Sequence, residues 1–377
     1  MSLVPITPMS SGARCRTETT MAGIKDVARM AGVSTATASR ALSGSGPVAD
    51  STRVKVLAAA ESLGYVAHAS AASLASGRTR SIGLVVPTVD RWFFSAALEG
   101  AAQELMAHGL DLTLYDAGLS AERRSTIFTD LLRRGRLDGL VTISFKLSPF
   151  ELAGMERMGR PVVALGGRVE SRAQLPEWFT ALQVDHFRAA TLATEHLTAL
   201  GHRDVAYLGR VPEDVEFQVS TERTRGFLQA MAAVGVQVPD EWMVEADFTT
   251  GGAFHTVREL LSRPGPRPTA ILCISDEMAI GAYTAALSLG LSVPGDVSVM
   301  GIDGHPDGAR LGISTVDQSP REQGRRAVRL IVEARKGNPA PRQILQHLAV
   351  RPRASTAAPP GVPRTDVPSS GRISAAG

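Results

Sequence analysis

The sequence has little cysteine, few aromatic residues and no long apolar run. Only two of its 377 residues are cysteines, Cys15 in a polar stretch and Cys273 in an apolar one, so no disulfide framework is predicted. No segment approaches the roughly 18 apolar residues of a membrane-spanning helix. The first 20 residues contain no continuous apolar segment and do not resemble a secretion signal. These absences predict a cytoplasmic protein.

The sequence also lacks the common motifs of catalysis and metal binding. It contains no G-x-S-x-G nucleophile elbow, no G-x-x-x-x-G-K-[S/T] phosphate loop and no H-E-x-x-H pair. His196 and His202 lie around a predicted helix end, which is a poor spacing for two metal ligands. We therefore expect no enzymatic activity, no cofactor and no metal site.

Positive charge is concentrated near the N-terminus. The whole chain has a net charge of +3, whereas residues 21–80 alone contain seven Lys and Arg against three Asp and Glu. A surface that binds phosphates needs such a local excess of positive charge. The charge distribution therefore supports nucleic-acid binding by this segment.

Residues 24–42, IKDVARMAGVSTATASRAL, have the pattern of two short helices around a tight turn. Gly32 supplies the backbone freedom that the turn needs, and Ser34 is a good N-cap for the second helix. The first helix is predicted to bury apolar residues at three- and four-residue spacing: Ile24, Val27, Ala28 and Ala31.

The second of these helices carries small and polar side chains on its outward face, with one cation. They are Thr35, Ala36, Thr37, Ser39 and Arg40. Because most of these side chains are short, the helix can lie close to the base edges in the major groove of DNA. The alternative is an ordinary helical hairpin within a core.

A third helix is predicted from about Asp50 to Leu63, closed by Gly64. Its residues in helical register are Val54, Leu57, Ala58 and Glu61. Residues 66–80 are rich in alanine and serine, with Leu74 as the one large apolar residue. Because an isolated segment of this length is marginal as a helix, we expect a linker that becomes helical only when another surface holds it.

Short apolar runs alternate with amphipathic helical segments from Ser81 onward. The predicted strands are 82–87, 112–115, 139–144, 161–165, 205–209, 270–275 and 297–303. Runs that are apolar on both faces are typical of a covered parallel sheet, and the alternation with helices predicts α/β architecture. The length of the region favours two similar lobes with a cleft between them. Residues 1–20 and the tail from Ala354 are predicted to be disordered, with Met21 as an alternative start.

This order closely resembles the lactose-repressor family of bacterial transcription regulators. The resemblance rests on IKDVARMAGVSTATASRALSGSGPV and VLAAAESLGYVAHASAASLASGRTRSIGLVVP, followed by HLTALGHRDVAYLG, RTRGFLQAM, SDEMAIGAY, VPGDVSVMGIDG and STVDQ, in family order from Ile24 to Arg353. It implies a three-helix head with a helix-turn-helix at 21–66 and a hinge at 67–80. A two-lobed body that resembles periplasmic binding proteins, with parallel sheets and the effector-binding and dimerisation surfaces, is implied at 81–353.

The resemblance also implies DNA-contacting positions. Thr35, Ala36 and Arg40 occupy positions whose side chains read base edges, and Arg40 is the strongest candidate because a guanidinium can bond guanine O6 and N7 together. A hinge leucine, here Leu74, wedges into the central base step from the minor groove. The other implied contacts are Lys25, Ser34, Thr37, Ser39 and Tyr65. Helix capping, solvation and packing remain alternative roles for these positions, as does packing of Leu74 on the body.

A second set of residues is implied at the cleft between the lobes, where strand ends of α/β sheets bind ligands. The set comprises Phe93, Phe94, Ser144, Arg223, Phe248, Ser275, Asp303 and Gln318. Trp92, Phe93 and Phe248 can stack on an apolar ligand face, and Arg223 and Asp303 can fix hydroxyl groups. Each of these residues has a purely structural alternative. Asp276 is expected to be such a case, as the N-cap of a helix that begins at Met278.

The chain departs from the family pattern at several positions. Gly23 replaces a frequent Thr or Ser N-cap; Ala67-His68 and Ala72 replace a common Pro-Asn and a frequent arginine in the hinge. In the body, Gly166-Gly167 stands where Asp-Arg is frequent, and Asp185-His186 where Asp-Asn is frequent. We expect DNA affinity to depend more on the head than is usual, and the identity of the effector does not follow from that of any relative.

Together, these observations predict a homodimeric transcriptional repressor whose operator affinity changes when a small ligand closes the cleft, with a tetramer as the alternative assembly. Its DNA site is expected to be pseudo-palindromic, and its effector a sugar or a nucleoside-like molecule. The alternative function is a soluble sugar-binding module without a regulatory role. An enzyme is the third hypothesis.

Overall fold

A computed structural model describes residues 22–43, 46–65, 79–118, 120–134, 137–166, 175–210, 218–338 and 340–360. The chain forms two compact units that meet in sequence between Thr79 and Arg80. The predictions for residues 1–20, for the hinge substitutions at 67, 68 and 72, and for Leu74 lie outside the described residues.

The first unit is a bundle of three helices: α1 (Ile24–Ala31), α2 (Thr35–Ser43) and α3 (Asp50–Ser62). Gly32 ends α1 with φ of 67°, the left-handed conformation that glycine adopts without a steric penalty. The helices pack through small and medium apolar side chains: Val27, Ala28, Ala38, Ala41, Val56, Ala59 and Ala60. The predicted helix-turn-helix is confirmed.

The predicted third helix is confirmed, but the residues named for its helical register do not form its packing face. Val54 is 66% exposed and Leu57 is 49% exposed, while Ala58 and Glu61 are also turned to solvent. The helix instead packs through Val56, Ala59 and Ala60. Apolar residues lie on both sides of α3, so periodicity alone could not identify the side that meets α1 and α2.

The second unit contains two lobes, each built on a six-stranded sheet. The first sheet is entirely parallel, in the order β11-β5-β4-β3-β1-β2. Its strands are β1 (Ser81–Val86), β2 (Asp111–Asp116), β3 (Gly139–Ile143), β4 (Val162–Leu165), β5 (Phe179–Gln183) and β11 (Gln343–Leu345). Its helices are α4 (Trp92–Ala107), α5 (Ala121–Arg134), α6 (Pro149–Met158) and α12 (Pro320–Arg335).

The second lobe repeats this plan with the order β12-β10-β9-β8-β6-β7, in which only β12 is antiparallel to its neighbour. Its strands are β6 (Val205–Arg210), β7 (Met243–Glu245), β8 (Ala270–Cys273), β9 (Ser298–Asp303), β10 (Ser314–Asp317) and β12 (Ala349–Arg351). Its helices are α7 (His186–Ala199), α8 (Gln218–Ala233), α9 (Thr250–Ser262), α10 (Asp276–Ser288) and α11 (Pro306–Arg310).

All seven predicted strands are present, and the two-lobed α/β class is confirmed. The strands β5, β7, β10, β11 and β12 were not predicted as strands. Three of them, β7, β11 and β12, have only three residues each, too few to show the apolar run or alternating pattern by which a strand is recognised. The chain passes between the lobes after β5, after β10 and after β11, which places the ends of these strands at the cleft.

The prediction that the chain is disordered from Ala354 is wrong for the first residues of that segment. The Ser355 hydroxyl is buried; it accepts a bond from the Ser314 N–H at 2.8 Å and donates one to the Val299 carbonyl at 2.5 Å. Ala357 donates its N–H to Ser298 at 3.2 Å. Residues 354–357 therefore complete the second lobe, because their polar groups satisfy backbone groups of β9 and β10.

Candidate functional site

The outward face of α2 has the form predicted for a helix that reads DNA. Ala38 is buried against the other helices, while Thr35, Ala36 and Arg40 are exposed on the opposite side. The Arg40 Nε donates to the Ala36 carbonyl at 3.3 Å. The exposed face consequently has one long side chain among small ones, which suits the width of a major groove.

The start of α2 is fixed by the predicted cap. The Ser34 hydroxyl accepts a hydrogen bond from the Thr37 N–H at 3.1 Å and is 2.9 Å from the Thr37 hydroxyl. At the start of α1, Asp26 accepts the Gly23 N–H at 3.0 Å, which is the half of a capping box that does not need a Ser or Thr side chain at the cap. The other predicted contact positions on this unit are Lys25, which is exposed, and Ser39 and Tyr65, which are partly buried.

Four polar side chains meet at the carboxyl ends of the second lobe's strands. Asp303 ends β9, and its Oδ1 accepts the Gln318 side-chain amide at 2.7 Å and lies 3.6 Å from the Arg223 guanidinium. Arg223 also donates to the Ile274 carbonyl, and its Nη2 is 3.4 Å from His186 Nδ1. Three of the predicted residues, Arg223, Asp303 and Gln318, are thus brought together, and His186 joins them.

Burial dominates the electrostatics of this cluster. It raises the pKa of Asp303 well above its ordinary value, and the Arg223 charge only partly offsets the effect. Burial, then the charge of Arg223, lowers the pKa of His186 to about 3, which leaves its ring neutral at physiological pH. Since a neutral Nδ1 facing Arg223 is an acceptor, the ring proton belongs on Nε2.

Several buried polar atoms of the cluster lack a hydrogen-bond partner of regular geometry. They are Arg223 Nε, His186 Nε2 and Gln318 Oε1. Buried polar groups in proteins are nearly always satisfied, and such exceptions often mark a functional site. The cluster can therefore present both donors and acceptors to a polar ligand.

The prediction for Asp276 is wrong. The helix α10 begins at Asp276 itself, and Ser275 is its N-cap, because the Ser275 hydroxyl accepts the Met278 N–H at 3.3 Å. Asp276 Oδ2 instead accepts the N–H groups of Gly304 at 2.8 Å and His305 at 2.7 Å. Asp276 thus holds the loop after β9, while Ser275 has a capping role in this arrangement.

The first lobe supplies aromatic and small side chains to the same cleft. Phe93 and Phe94 lie in the first turn of α4, with their rings edge to face at 5.8 Å between centroids, and both pack partly on the core of their lobe. Ser144 follows β3 and faces the backbone of Gly166, which follows β4. Phe248 lies in the second lobe, after β7, and packs on its core.

Backbone strain is concentrated around this cleft. Among the described residues, four non-glycine residues have positive φ: Arg80, Ser144, Asp303 and Ser319. Ser144 and Asp303 end strands at the cleft, and Ser319 lies where the chain crosses between the lobes. Strained backbone of this kind clusters at ligand sites and switch regions, because the surrounding structure must enforce it.

Sequence reasoning did not place His186 among the ligand-facing residues. The available signal was its departure from a frequent asparagine, and only the structure shows that this position adjoins Arg223. Within the described ranges, no group of His, Cys, Asp and Glu has the geometry of a metal site. No helix of the described chain is both long and apolar enough to cross a bilayer.

Two family descriptions match the chain. Residues 23–68 match "Bacterial regulatory proteins, lacI family", and residues 194–356 match "Periplasmic binding protein-like domain". Among curated proteins, the chain is 34% identical over 284 residues to the HTH-type transcriptional repressor PurR of Salmonella arizonae, a match that covers 75% of this chain and 81% of the relative.

Solved structures are similar over most of the chain. The lac repressor dimer bound to operator and the anti-inducer ONPF has a TM-score of 0.76 at 25% identity, covering 89% of this chain and 99% of that one. The complex of the transcriptional regulator CelR with cellobiose has a TM-score of 0.62 at 26% identity, with coverages of 89% and 100%. Both similarities span the head as well as the body.

Proposed function

This chain belongs to the lacI family of bacterial regulatory proteins, and we propose that it is a homodimeric repressor whose affinity for a pseudo-palindromic operator changes when a small molecule occupies the interlobe cleft. The observation that carries the proposal is the combination, in one chain, of the exposed α2 face and a strained polar cleft. Two-fold symmetry of a dimer requires two similar half-sites in the DNA.

Operator recognition is assigned to α2. Arg40 reads a guanine through its guanidinium, and Thr35 and Ala36 contact neighbouring bases. Ser34, Thr37, Ser39, Lys25 and Tyr65 position the head on the phosphates or hold the helix in place. Leu74 belongs to the proposed hinge at 67–80 and would act from the minor groove. The exposed positions of Thr35, Ala36 and Arg40 support this assignment.

Effector binding is assigned to the polar cluster and the aromatic residues that flank it. Arg223, Asp303 and Gln318 hold polar groups of the ligand, and His186 adds a neutral donor. Phe93, Phe94 and Phe248 cover its apolar face, while Ser144 and Ser275 line strand ends. Mixed donors and acceptors beside aromatic rings suit a sugar or a nucleoside-like molecule. The names of similar proteins point the same way, since CelR was solved with cellobiose.

A repressor of this kind performs no chemical step, and the protein is proposed to act in the cytoplasm, where its operator is found. The ligand acts by linkage: it shifts DNA binding only through its different affinities for the two lobe arrangements. The proposed boundaries are a head at 21–66, a hinge at 67–80 and a body at 81–353 with the packed segment 354–357 added.

Selection of randomised duplex DNA by the full-length chain tests the proposal. We expect the recovered sequences to share a pseudo-palindrome, and binding to weaken steeply as salt rises. Recovery of no common sequence, with thermal stabilisation by a sugar, would favour the sugar-binding module instead.

A further inference from the structure

The cleft is bridged by side chains of the protein itself at the beginning of α4. Arg91 and Trp92 belong to the first lobe, whereas Phe248, Glu277 and His305 belong to the second. The Arg91 guanidinium donates to the Phe248 carbonyl across the cleft. The rings of Trp92 and His305 meet with 4.5 Å between centroids and 43° between planes.

A carboxylate of the opposite lobe also lies near the start of α4. The first N–H groups of a helix have no partner within it, and a carboxylate is the favoured partner there. The Arg91 side chain makes no capping bond within its own helix. Glu277 of α10 lies near the Trp92 N–H and the Arg91 charge, and both lower its pKa against a larger rise caused by burial.

His305 is held in place from its own lobe before it meets Trp92. Its N–H donates to Asp276 at 2.7 Å, and its Nδ1 accepts the Asp307 N–H at 3.0 Å. It is 8% exposed. One hydrogen bond fixes the His305 backbone and the other its ring, so the ring offers Trp92 a preorganised surface and little freedom is lost when the two lobes meet.

We propose that Arg91 and Trp92, with Glu277, His305 and the Phe248 carbonyl, form a clasp that holds the cleft closed when no effector is bound. Arg91, Trp92, Glu277 and His305 are positioning residues that act on the lobe arrangement, and Phe248 contributes its backbone carbonyl to the clasp while its ring is assigned to the ligand. The clasp goes beyond the proposed function: it concerns the ligand-free protein, and an effector then acts on a cleft that is already biased toward closure. Loss of one aromatic pair and one charge-assisted bond is expected to shift the closed-to-open ratio by about tenfold.

The distance between the lobes in ligand-free, DNA-free protein tests this inference. Glu156 of α6 and Glu259 of α9 are exposed, lie in different lobes and can be changed to cysteine for spin labelling. Cys15 is replaced by serine, while Cys273 is buried and stays. Labelled chains are diluted with unlabelled ones so that only distances within one protomer are measured.

We expect a narrow distribution of interlobe distances for the parent protein and a longer, broader one for the Arg91→Ala/Trp92→Ala variant. The Glu277→Gln/His305→Asn variant removes the clasp contacts that the second lobe makes. Its interlobe distances test the clasp if the first variant does not fold. Arg188→Ala is the matched control, because Arg188 pairs with Glu195 within one helix at 3.1 Å. Unchanged distances in the folded clasp variants, or a broad distribution in the parent, would overturn the clasp. Since neither DNA nor ligand is present, the result does not depend on repressor function.

Discussion

At the residue scale, the proposal is tested most directly at Arg40 in the head and at His186 in the cleft. Arg40 is the one cation on the exposed face of α2, and His186 is the neutral ring beside Arg223 in the cleft. The sequence alone identifies Arg40, because the helix-turn-helix pattern is local. It could not identify the contact of His186, because Arg223 reaches that ring from a helix that is distant in sequence.

Replacement of Arg40 by alanine should reduce operator affinity by roughly 10- to 100-fold, because a bidentate arginine–guanine contact contributes about 1–3 kcal/mol of discrimination. The loss should be greatest for the preferred sequence, so specificity at one base pair of each half-site should relax. Fluorescence anisotropy with matched and single-base-changed duplexes measures both effects. Arg225→Ala, which removes an exposed charge from α8, is the control. An equal loss on every duplex would mean that Arg40 contacts only phosphate.

His186 should make the body less stable in acid. Its folded pKa of about 3 lies below the ordinary value of 6.5. Between these two pH values, the histidine is protonated in the unfolded chain but stays neutral in the native protein. The contribution is fully favourable above pH 6.5 and declines as pH falls toward 3, by at most about 1.4 kcal/mol per pH unit. Urea unfolding at about pH 7.5 and about pH 5.5 measures the decline.

His186→Asn should have a flatter dependence than the parent between these two pH values, since asparagine cannot take up the proton. Above about pH 7, the two proteins should respond to pH alike, which serves as the internal control. If the variant loses stability on acidification as steeply as the parent, the pKa of His186 is not lowered in the native state.

At the scale of secondary-structure elements, the features that were predicted correctly are those set by residues close together in sequence. The Ser34 cap, the end of α1 at Gly32 and the long apolar strands follow from residues that are neighbours in sequence. The packing face of α3 did not follow from its sequence, because α1 and α2 decide which side is buried. The cap of α10 was predicted one residue too late, at Asp276 and not at Ser275, because both side chains can cap a helix. The packed segment 354–357 escaped prediction because its partners, Ser314 and Val299, lie far away in sequence.

The crossing of α4 and α12 gives a prediction at this scale. The two helices approach so closely that a Cβ added at Gly100 would lie 1.9 Å from the Arg321 carbonyl oxygen. Gly100→Ala should therefore destabilise the body by about 1–3 kcal/mol or more through overpacking. Thermal unfolding followed by circular dichroism measures the change.

Gly251→Ala is the matched control for this crossing. Gly251 lies in the first turn of α9, and no heavy atom would be within 4 Å of an added Cβ. There, alanine should be neutral or slightly stabilising, because it reduces the freedom of the unfolded chain. Equal effects of the two substitutions would show that the close contact between α4 and α12 does not constrain the body.

At the scale of the whole molecule, function depends on an equilibrium between two lobe arrangements. In this proposal, the cluster around Arg223 binds the effector in the cleft, and the clasp at Arg91 and Trp92 favours closure of the ligand-free cleft. The arrangement of the lobes then sets the affinity of the head for DNA. An effector that binds both arrangements equally would leave operator affinity unchanged, however tightly it bound. The overall architecture was predictable because strand–helix alternation persists along the body, whereas the bridging of the cleft depends on side chains that only the fold brings together.

Operator affinity measured with and without an effector tests ligand-controlled repression most directly. A thermal-shift screen of sugars, nucleobases and nucleosides selects the compound that stabilises the protein most. Fluorescence anisotropy then gives the operator Kd with and without that compound. We predict a change of about tenfold, equivalent to about 1.4 kcal/mol of coupling, that is lost in Arg223→Met although operator binding remains. An operator Kd that stays the same while the compound is bound would contradict ligand-controlled repression.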